Sequence, residues 1–200
     1  MLEIEGFILA GGASSRMGAD KAHLQLGRET FVERIANALA AITERTSVVG
    51  ARREAADWCL PVVPDVYTKW GALGGLHAAL AACRAPWAAI VACDLPFVTG
   101  EMFVRLASLR GDFDAVVPIQ ADGRAQPLCA LYRSGVCRAR AQELIASGER
   151  RPRVLLQAVR TRRVAARELG DLDNATLFFT NINTPEDYAQ AKEKGERLQG

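Results

Sequence analysis

Residues 7–21 read FILAGGASSRMGADK, an apolar run that ends abruptly in two successive glycines. The run predicts a β-strand over 7–10, and Gly11 and Gly12 predict that this strand ends in a flexible loop. Successive glycines let backbone N–H groups approach phosphate oxygens closely. Arg16 and Lys21 add two positive charges where a polyphosphate would lie. The stretch therefore predicts a strand followed by a phosphate-binding loop.

This loop differs from the two most familiar phosphate-binding patterns. It lacks the GKS or GKT ending of the P-loop, and it does not match the GxGxxG dinucleotide fingerprint. An ordinary strand-to-helix turn would explain the two glycines alone. Such a turn explains the full spacing GG-x3-RMG-x2-K poorly, so we favour phosphate binding.

The rest of the chain alternates strand-like and helix-like segments, which is typical of an α/β fold with a mainly parallel sheet. Hydrophobic periodicity and capping residues predict helices over 31–42, after Thr99, over 73–83, 135–146 and 153–159, and after Thr184. Apolar runs predict further strands over 47–50, 61–64, 87–93, 114–119, 128–133, 163–166 and 178–183. We expect a single Rossmann-like, three-layer domain over 1–200, because no repeat or long linker interrupts the pattern.

Composition excludes several classes of protein. Half of the 200 residues are apolar and 24% are charged, as in an ordinary globular domain. Five cysteines form an odd number without CxxC spacing, which predicts reduced thiols rather than disulfides or a zinc site. His23 and His77 lie far apart in sequence, which excludes a His-rich metal centre. The chain has no signal-peptide pattern and no membrane-spanning run, so we expect a cytoplasmic protein without a membrane partner.

Arginines are concentrated in the last third of the chain, although the formal net charge is only +2. Such a patch could face nucleic acid or an anionic ligand. Acidic residues are interspersed and no aromatic residues interleave with the basic ones. We therefore favour a solvated surface and expect no nucleic-acid partner.

Asp94 follows 87–93 (WAAIVAC), the most continuous apolar run of the chain. Such a run is expected of a central strand that is buried on both faces. Ligand sites of open α/β sheets form outside the carboxyl ends of the strands, and an aspartate there suits Mg²⁺. Alternatively, Asp94 caps the following turn, whose geometry Pro96 restricts.

A third candidate site combines Asp65 with the glycines of 70–76 (WGALGGL). Glycine permits close approach of a base or ribose, and a helix N-terminus attracts anions. A loop that uses these glycines only for turn geometry is an equally good explanation of the spacing.

The N-terminal stretch closely resembles the loop of the GT-A-like nucleotidyltransferases, in which L-A-G-G is followed by S-R-M-G and a lysine. The resemblance implies that a nucleoside triphosphate is bound by Leu9, Ala10, Gly11, Gly12, Arg16 and Lys21. It also implies that Asp94 holds Mg²⁺ and that Asp65 and Gly71 contact the nucleotide. Ala72 replaces the proline that usually follows Gly71, so the loop geometry differs from the family pattern there.

Residues 181–185 (NINTP) resemble the N-x-N-T-P segment of molybdenum cofactor guanylyltransferases, which implies that Asn181 and Asn183 lie on the pterin side of the site. A strand end followed by a capped helix would use the same residue types. Residues 126–128 (QPL) similarly resemble the family's region before a strand of the acceptor pocket, although a proline that ends a loop explains them equally well. The Leu-Ala-Gly-Gly form of the loop resembles guanylyltransferases more than cytidylyltransferases, which favours GTP over CTP.

The resemblance implies transfer of GMP from GTP to Mo-molybdopterin with release of pyrophosphate, with Arg16, Lys21 and Asp94 as the catalytic residues. Nucleotide binding would lie in 1–110 and acceptor binding in 111–200. Molybdoenzyme apoproteins or other cofactor-biosynthesis proteins would be its partners. The alternatives are a molybdopterin cytidylyltransferase, a sugar-phosphate nucleotidyltransferase and a non-catalytic nucleotide- or cofactor-binding adaptor.

Overall fold

The computed structural model describes residues 3–10, 23–50, 59–68 and 70–197. Its strands are β1 (Ile4–Leu9), β2 (Gln25–Leu26), β3 (Glu29–Thr30), β4 (Thr46–Val49), β5 (Val62–Val63), β6 (Trp87–Ala92), β7 (Ala115–Pro118), β8 (Cys129–Arg133) and β9 (Thr161–Val164). Its helices are α1 (Phe31–Leu39), α2 (Gly71–Ala82), α3 (Gly100–Ser108), α4 (Ser134–Ala146), α5 (Pro152–Ala158) and α6 (Pro185–Arg197).

Seven of these strands form one sheet in the order β5-β4-β1-β6-β8-β7-β9, while β2 and β3 form a separate small hairpin. Strands β5, β4, β1 and β6 are mutually parallel, and β7 is parallel to β9. Strand β8 is antiparallel to both of its neighbours, β6 and β7. The sheet is therefore mainly parallel, as the sequence predicts.

Helices cover both faces of the sheet, because alternate side chains of the central strands point to opposite faces. On one face, Ile8 of β1 and Val91 of β6 join a buried cluster with α1 and α3. On the other face, Phe7 of β1 and Ile90 of β6 join a second cluster with α2, α4 and α5. This arrangement confirms the predicted three-layer α/β fold.

Local signals set where the helices begin. Thr30 and Glu33 form a reciprocal capping box at the start of α1, in which the hydroxyl of Thr30 accepts a hydrogen bond from the N–H of Glu33. The hydroxyl of Thr99 accepts from the N–H of Met102 at the start of α3. These two caps confirm the predicted starts of α1 and α3.

The prediction of a strand over 178–183 is wrong. Residues 178 and 179 form a turn after a short 3-10 helix (Ala175–Leu177), and 180–183 are irregular. Phe178 and Ile182 are both fully buried, but they enter two different hydrophobic clusters. Their burial produced an apolar pattern like that of a strand, although the segment is held by separate contacts instead of a ladder of strand hydrogen bonds.

No disulfide joins the five cysteines, all of which belong to the described residues, and Cys93, Cys129 and Cys137 are buried. In the described part of the chain, no helix is long and apolar enough to cross a membrane.

Gly6 lies in β1 where a side chain would meet both the neighbouring strand β4 and helix α1. A Cβ atom at Gly6 would lie 2.8 Å from Oγ1 of Thr46 and 3.2 Å from Cδ1 of Leu39. We expect Gly6→Ala to lower the free energy of unfolding by about 1–3 kcal/mol through overpacking. Gly135→Ala is the matched control, because nothing lies within 4 Å of a Cβ there and α4 gains about 0.5–1 kcal/mol from the change. Denaturant unfolding of both variants checks this prediction, which an equal effect of the two substitutions would contradict.

His77 makes the stability of the fold depend on pH. Its side chain is buried and lies edge-on to Tyr67, and neither ring nitrogen has a hydrogen-bond partner among the described residues. Burial, reinforced by the positive charge of Arg138, lowers the pKa of His77 below its usual 6.5. The unfolded chain therefore binds the proton more readily, so His77 must lower stability as pH falls below about 6.5.

We expect the free energy of unfolding to fall between about pH 7.5 and pH 5.5, and to fall less steeply in His77→Phe. Phenylalanine preserves the ring packing against Tyr67 but does not titrate. Denaturant titrations at several pH values measure the two slopes. Equal slopes for the two proteins would show that His77 contributes nothing to the pH dependence.

Candidate active site at the carboxyl edge of the sheet

Strands β5, β4, β1 and β6 are parallel, so their carboxyl ends lie along one edge of the sheet, which we call the carboxyl edge. The N–H of Ala10 donates to the carbonyl oxygen of Val49 at 2.9 Å, and the N–H of Cys93 donates to that of Leu9 at 3.0 Å. Leu9 and Ala10 therefore lie at the centre of this edge. Gly11, Gly12, Arg16 and Lys21 lie outside the described residues, so their assignment to phosphate binding stays a prediction.

Asp94 lies two residues beyond β6, next to the end of β1. It is half-buried, and the N–H of Leu95 donates to the carbonyl oxygen of Ala92 at 3.2 Å, which turns the chain at this point. This turn is the one that the sequence offered as an alternative role for Asp94. Asp94 therefore lies at the carboxyl edge whichever role its side chain has.

Asp65 lies at the same edge, two residues beyond β5. In the order β5-β4-β1-β6 it is three strand spacings from Asp94, about 14 Å in the hydrogen-bonding direction. A Cβ atom at Gly75 would lie 3.9 Å from Cδ1 of Leu9 and 4.0 Å from Oδ1 of Asp65. Gly75 thus brings α2 close to both residues. Partial burial of the Asp65 carboxyl raises its pKa.

Gly71 begins α2 with a φ of +66°, a backbone conformation that glycine adopts without the steric cost of a side chain. Trp70, the residue before Gly71, is held by two residues that are distant from it in sequence. Its indole N–H donates to the carbonyl oxygen of Glu149 at 3.0 Å, and the guanidinium of Arg150 lies 4.9 Å above its ring. The loop between α4 and α5 therefore fixes the start of α2.

Gly74 allows Tyr67 and Trp70, which precede α2, to pack closely on the helix. A Cβ atom at Gly74 would lie 2.8 Å from Cβ of Trp70 and 3.1 Å from the carbonyl oxygen of Tyr67. Any larger residue would have to displace the turn that precedes Gly71. Packing therefore explains Gly74, and the positive φ of Gly71 agrees with the turn geometry that the sequence left open as an alternative.

Ile182, the residue between Asn181 and Asn183, connects this segment to the candidate site. The N–H of Ile182 donates to the carbonyl oxygen of Asp94 at 3.0 Å, and the side chain of Ile182 is fully buried. Asn181 and Asn183 are both exposed. The structure therefore brings this segment beside Asp94, although the two are far apart in sequence.

Residues 126–128 lie on the other side of Asp94. The N–H of Ala92 donates to the carbonyl oxygen of Leu128 at 2.8 Å, and the hydroxyl of Tyr132 donates to that of Pro127 at 2.6 Å. Tyr132 itself is fully buried. This loop is thus fixed against the end of β6, and its role in an acceptor pocket stays a prediction.

The donor set at this edge fits Mg²⁺ only together with a bound nucleotide. No group of three or more His, Cys, Asp or Glu side chains that could hold a metal occurs in the ranges that the structure describes. Mg²⁺ is usually held by one or two carboxylates together with phosphate oxygens and water. Asp94 would supply such a carboxylate, and the predicted phosphate loop leaves the neighbouring strand β1.

Two features of the site were not anticipated from the sequence. The first is the support of Trp70 by Glu149 and Arg150, which are distant in sequence and carry no recognisable motif. The second is Asp187, whose carboxylate accepts hydrogen bonds from the N–H groups of Asn183 and Thr184. The spacing T-x-x-D at 184–187 is a capping signal that could have revealed it.

Known proteins resemble this chain in sequence and in fold. Residues 6–164 match a family model described as "MobA-like NTP transferase domain". A protein of Pelotomaculum thermopropionicum named "Probable molybdenum cofactor guanylyltransferase" is 34% identical, covering 98% of this chain and 95% of its own length. A protein of the same name from Bacillus cereus is 34% identical, covering 94% of each chain.

Solved structures share the fold. The molybdopterin-guanine dinucleotide biosynthesis protein A of Archaeoglobus fulgidus has a TM-score of 0.80 at 24% identity, covering 96% of this chain and 99% of its own. The 2-C-methyl-D-erythritol 4-phosphate cytidylyltransferase of Thermus thermophilus has a TM-score of 0.68 at 19% identity, covering 96% and 98%. At these identities the likeness establishes the fold alone.

The family match over most of the chain and the nearly full-length relatives agree with the resemblance predicted from residues 7–21. The chain belongs to the MobA-like NTP transferase family.

Proposed function

We propose that this protein transfers GMP from GTP to Mo-molybdopterin, forming molybdopterin guanine dinucleotide and pyrophosphate. The observation that carries this proposal is the 34% identity, over 98% of the chain, with a relative named as a molybdenum cofactor guanylyltransferase. The geometry supports it, because Leu9, Ala10, Asp65 and Asp94 lie at one edge of the sheet, beside the segment that carries Asn181 and Asn183. Cytoplasmic location and assembly with other cofactor-biosynthesis proteins remain predictions.

The nucleotide would lie along the carboxyl edge between Asp65 and Asp94. Asp65, beyond β5, and Gly71, at the start of α2, would contact the nucleoside. The first turn of α2 carries no acidic residue, so its backbone N–H groups favour a nearby anion. The triphosphate would extend towards Asp94, past the end of β1.

The acceptor would approach from the opposite side, where α6 begins. Asn181 and Asn183 are exposed, and each amide side chain offers both donors and an acceptor. These groups suit a heterocycle such as a pterin. Glu186 and Asp187 lie in the first turn of α6, so this helix end disfavours a phosphate. The pterin would therefore face 181–183, with its phosphate directed towards Asp94.

In the reaction, the terminal phosphate of the acceptor attacks the α-phosphorus of GTP in line. A new P–O bond forms, the bond between the α-phosphorus and the bridging oxygen breaks, and pyrophosphate leaves. The acceptor is already an anion at neutral pH, so the protein need not supply a strong base. Arg16 and Lys21 would neutralise and position the phosphates. Bound Mg²⁺, held in part by Asp94, would stabilise the charge of the leaving pyrophosphate.

Pyrophosphate release with GTP, CTP, ATP and UTP, each with and without Mo-molybdopterin, tests the proposed substrates. We expect turnover only with Mg²⁺, GTP and the pterin together, because in-line transfer requires both phosphates at the carboxyl edge. A preference for CTP would contradict the base assignment but leave the mechanism intact. Release with a sugar phosphate and not with the pterin would contradict the acceptor.

Binding of nucleotide without pyrophosphate release under any of these conditions would indicate an adaptor instead. The same assay therefore separates the proposed enzyme from each alternative that the sequence left open. A parallel assay without Mg²⁺ measures the metal dependence directly.

Asp94→Ala tests the proposed metal ligand. We expect turnover to fall at least about 100-fold, because a bound metal contributes several kcal/mol to stabilising charge in a transition state. The fold should be retained, because Asp94 contributes its backbone carbonyl, not its carboxylate, to the hydrogen bond with Ile182.

Asp112→Ala is the matched control, since Asp112 is an exposed aspartate before β7, at the opposite edge of the sheet. Turnover should be unchanged in that variant. Steady-state kinetics give the rates, and circular dichroism with thermal unfolding verifies the fold of both variants. Near-normal turnover in Asp94→Ala would refute the metal assignment.

A further inference from the structure

The segment 181–184 carries two exposed asparagines but has no secondary structure of its own. Two contacts of Ile182 hold the middle of this segment. The N–H of Ile182 donates to the carbonyl oxygen of Asp94 at 3.0 Å. The side chain of Ile182 is packed in a cluster with Phe97 and Phe31. These contacts fix the middle of the segment but not the orientation of the residues that follow.

Asp187 fixes the second half of the segment. Its Oδ2 accepts hydrogen bonds from the backbone N–H groups of Asn183 and of Thr184, both at 2.9 Å. In return, the N–H of Asp187 donates to Oγ1 of Thr184 at 3.1 Å. An ionised carboxylate that accepts from two backbone N–H groups makes stronger hydrogen bonds than a neutral acceptor. The carboxylate of Asp187 therefore holds the backbone N–H groups of two successive residues, Asn183 and Thr184.

The consequence for Asn183 is geometric. Ile182 points into the protein while Asn181 and Asn183 are exposed, so the two amides are presented on either side of an anchored residue. The Cα–Cβ direction of Asn183 is set by the backbone on both sides of its Cα, where the N–H groups of Asn183 and Thr184 are bound by Asp187. Loss of the two bonds to Asp187 would leave the backbone at 183–184 less restricted, and substrate binding would then have to restrict it.

We propose that Asp187 is a positioning residue that holds Asn183, and with it the segment 181–184, in the orientation required to bind the acceptor beside Asp94. This inference rests on the proposed function, because it assumes that Asn181 and Asn183 face the acceptor. Asp187 itself need not touch substrate. Its carboxylate acts through the two backbone N–H groups that it binds.

A simple helix cap is the competing explanation, since T-x-x-D is a capping box. The two explanations differ in what they predict for the kinetics. Loss of a cap lowers stability and hence the fraction of folded enzyme, which reduces the maximal rate without changing either Michaelis constant. Loss of a positioning residue changes the Michaelis constant for the acceptor and leaves that for GTP unchanged.

Steady-state kinetics of Asp187→Ala with GTP and Mo-molybdopterin varied separately distinguish these explanations. We expect KM for Mo-molybdopterin to rise about tenfold, the effect of losing a hydrogen bond to a charged acceptor, with KM for GTP unchanged. Asp187→Asn should restore most of the affinity, because its amide oxygen still accepts from the same N–H groups.

Glu33→Ala is the matched control. Glu33 forms the equivalent capping box with Thr30 at the start of α1, and none of its hydrogen bonds reaches the segment 181–184. This variant should lose stability and leave both KM values unchanged. A rise in both KM values in Asp187→Ala, or no rise in either, would overturn the positioning role.

Hydrogen exchange of the Asn183 and Thr184 amides provides a test that does not depend on turnover. We expect both amides to exchange faster in Asp187→Ala than in the wild type, with the amides of β6 unchanged. Unchanged exchange would show that Asp187 does not hold the segment. If the wild-type enzyme releases no pyrophosphate with Mo-molybdopterin, the proposed function fails, while the exchange result still decides whether Asp187 fixes Asn183.

Discussion

Three backbone hydrogen bonds at the end of β6 determine how the site is assembled. The N–H of Ala92 binds the carbonyl oxygen of Leu128, the N–H of Cys93 binds that of Leu9, and the N–H of Ile182 binds the carbonyl oxygen of Asp94. Each bond joins the strand end to a different part of the chain. Backbone groups buried in a fold must find partners, so these bonds depend little on the side chains around them. They place an N-terminal strand, a central loop and a C-terminal segment around Asp94.

The two helix ends near this point differ in charge. The first turn of α2 has no acidic residue, whereas that of α6 has Glu186 and Asp187. A helix N-terminus attracts anions unless its own side chains already satisfy it. The end of α2 therefore suits a phosphate or ribose, and the end of α6 suits an uncharged heterocycle. In the proposed function, this difference would give the site a direction, with the nucleotide on the side of β5 and the acceptor on the side of α6.

Much of the fold could be predicted from the sequence because its signals are local. Alternation of strands and helices, the capping box of Thr30 and the apolar run of 87–93 all correspond to elements of the structure. The strand predicted over 178–183 was wrong, because burial of Phe178 and Ile182 in separate clusters resembles strand periodicity. Sequence alone cannot distinguish burial along a sheet from burial along an irregular segment.

The sequence predicts some residues of the candidate site but not the contacts that hold them. Asp94 is predicted because it follows the most apolar strand, and Asp65 because it precedes the glycines of 70–76; the structure places both at the same edge. The contact of Ile182 with Asp94 and the support of Trp70 by Glu149 were not predictable, because they join residues far apart in sequence and involve backbone atoms. Any residue type could form the backbone part of these bonds, so no sequence pattern marks them.

The central claim is that metal and nucleotide bind together at the carboxyl edge, beside both Asp65 and 181–183. Paramagnetic broadening of backbone amide NMR signals by Mn²⁺, with and without GTP, tests it most directly. We expect GTP-dependent broadening of the signals of Asp65, Asp94 and Ile182. The signals of Glu5 and Arg84, at the opposite edge of the sheet, should be unaffected. Broadening centred on Glu5 and Arg84, or no change on adding GTP, would contradict it.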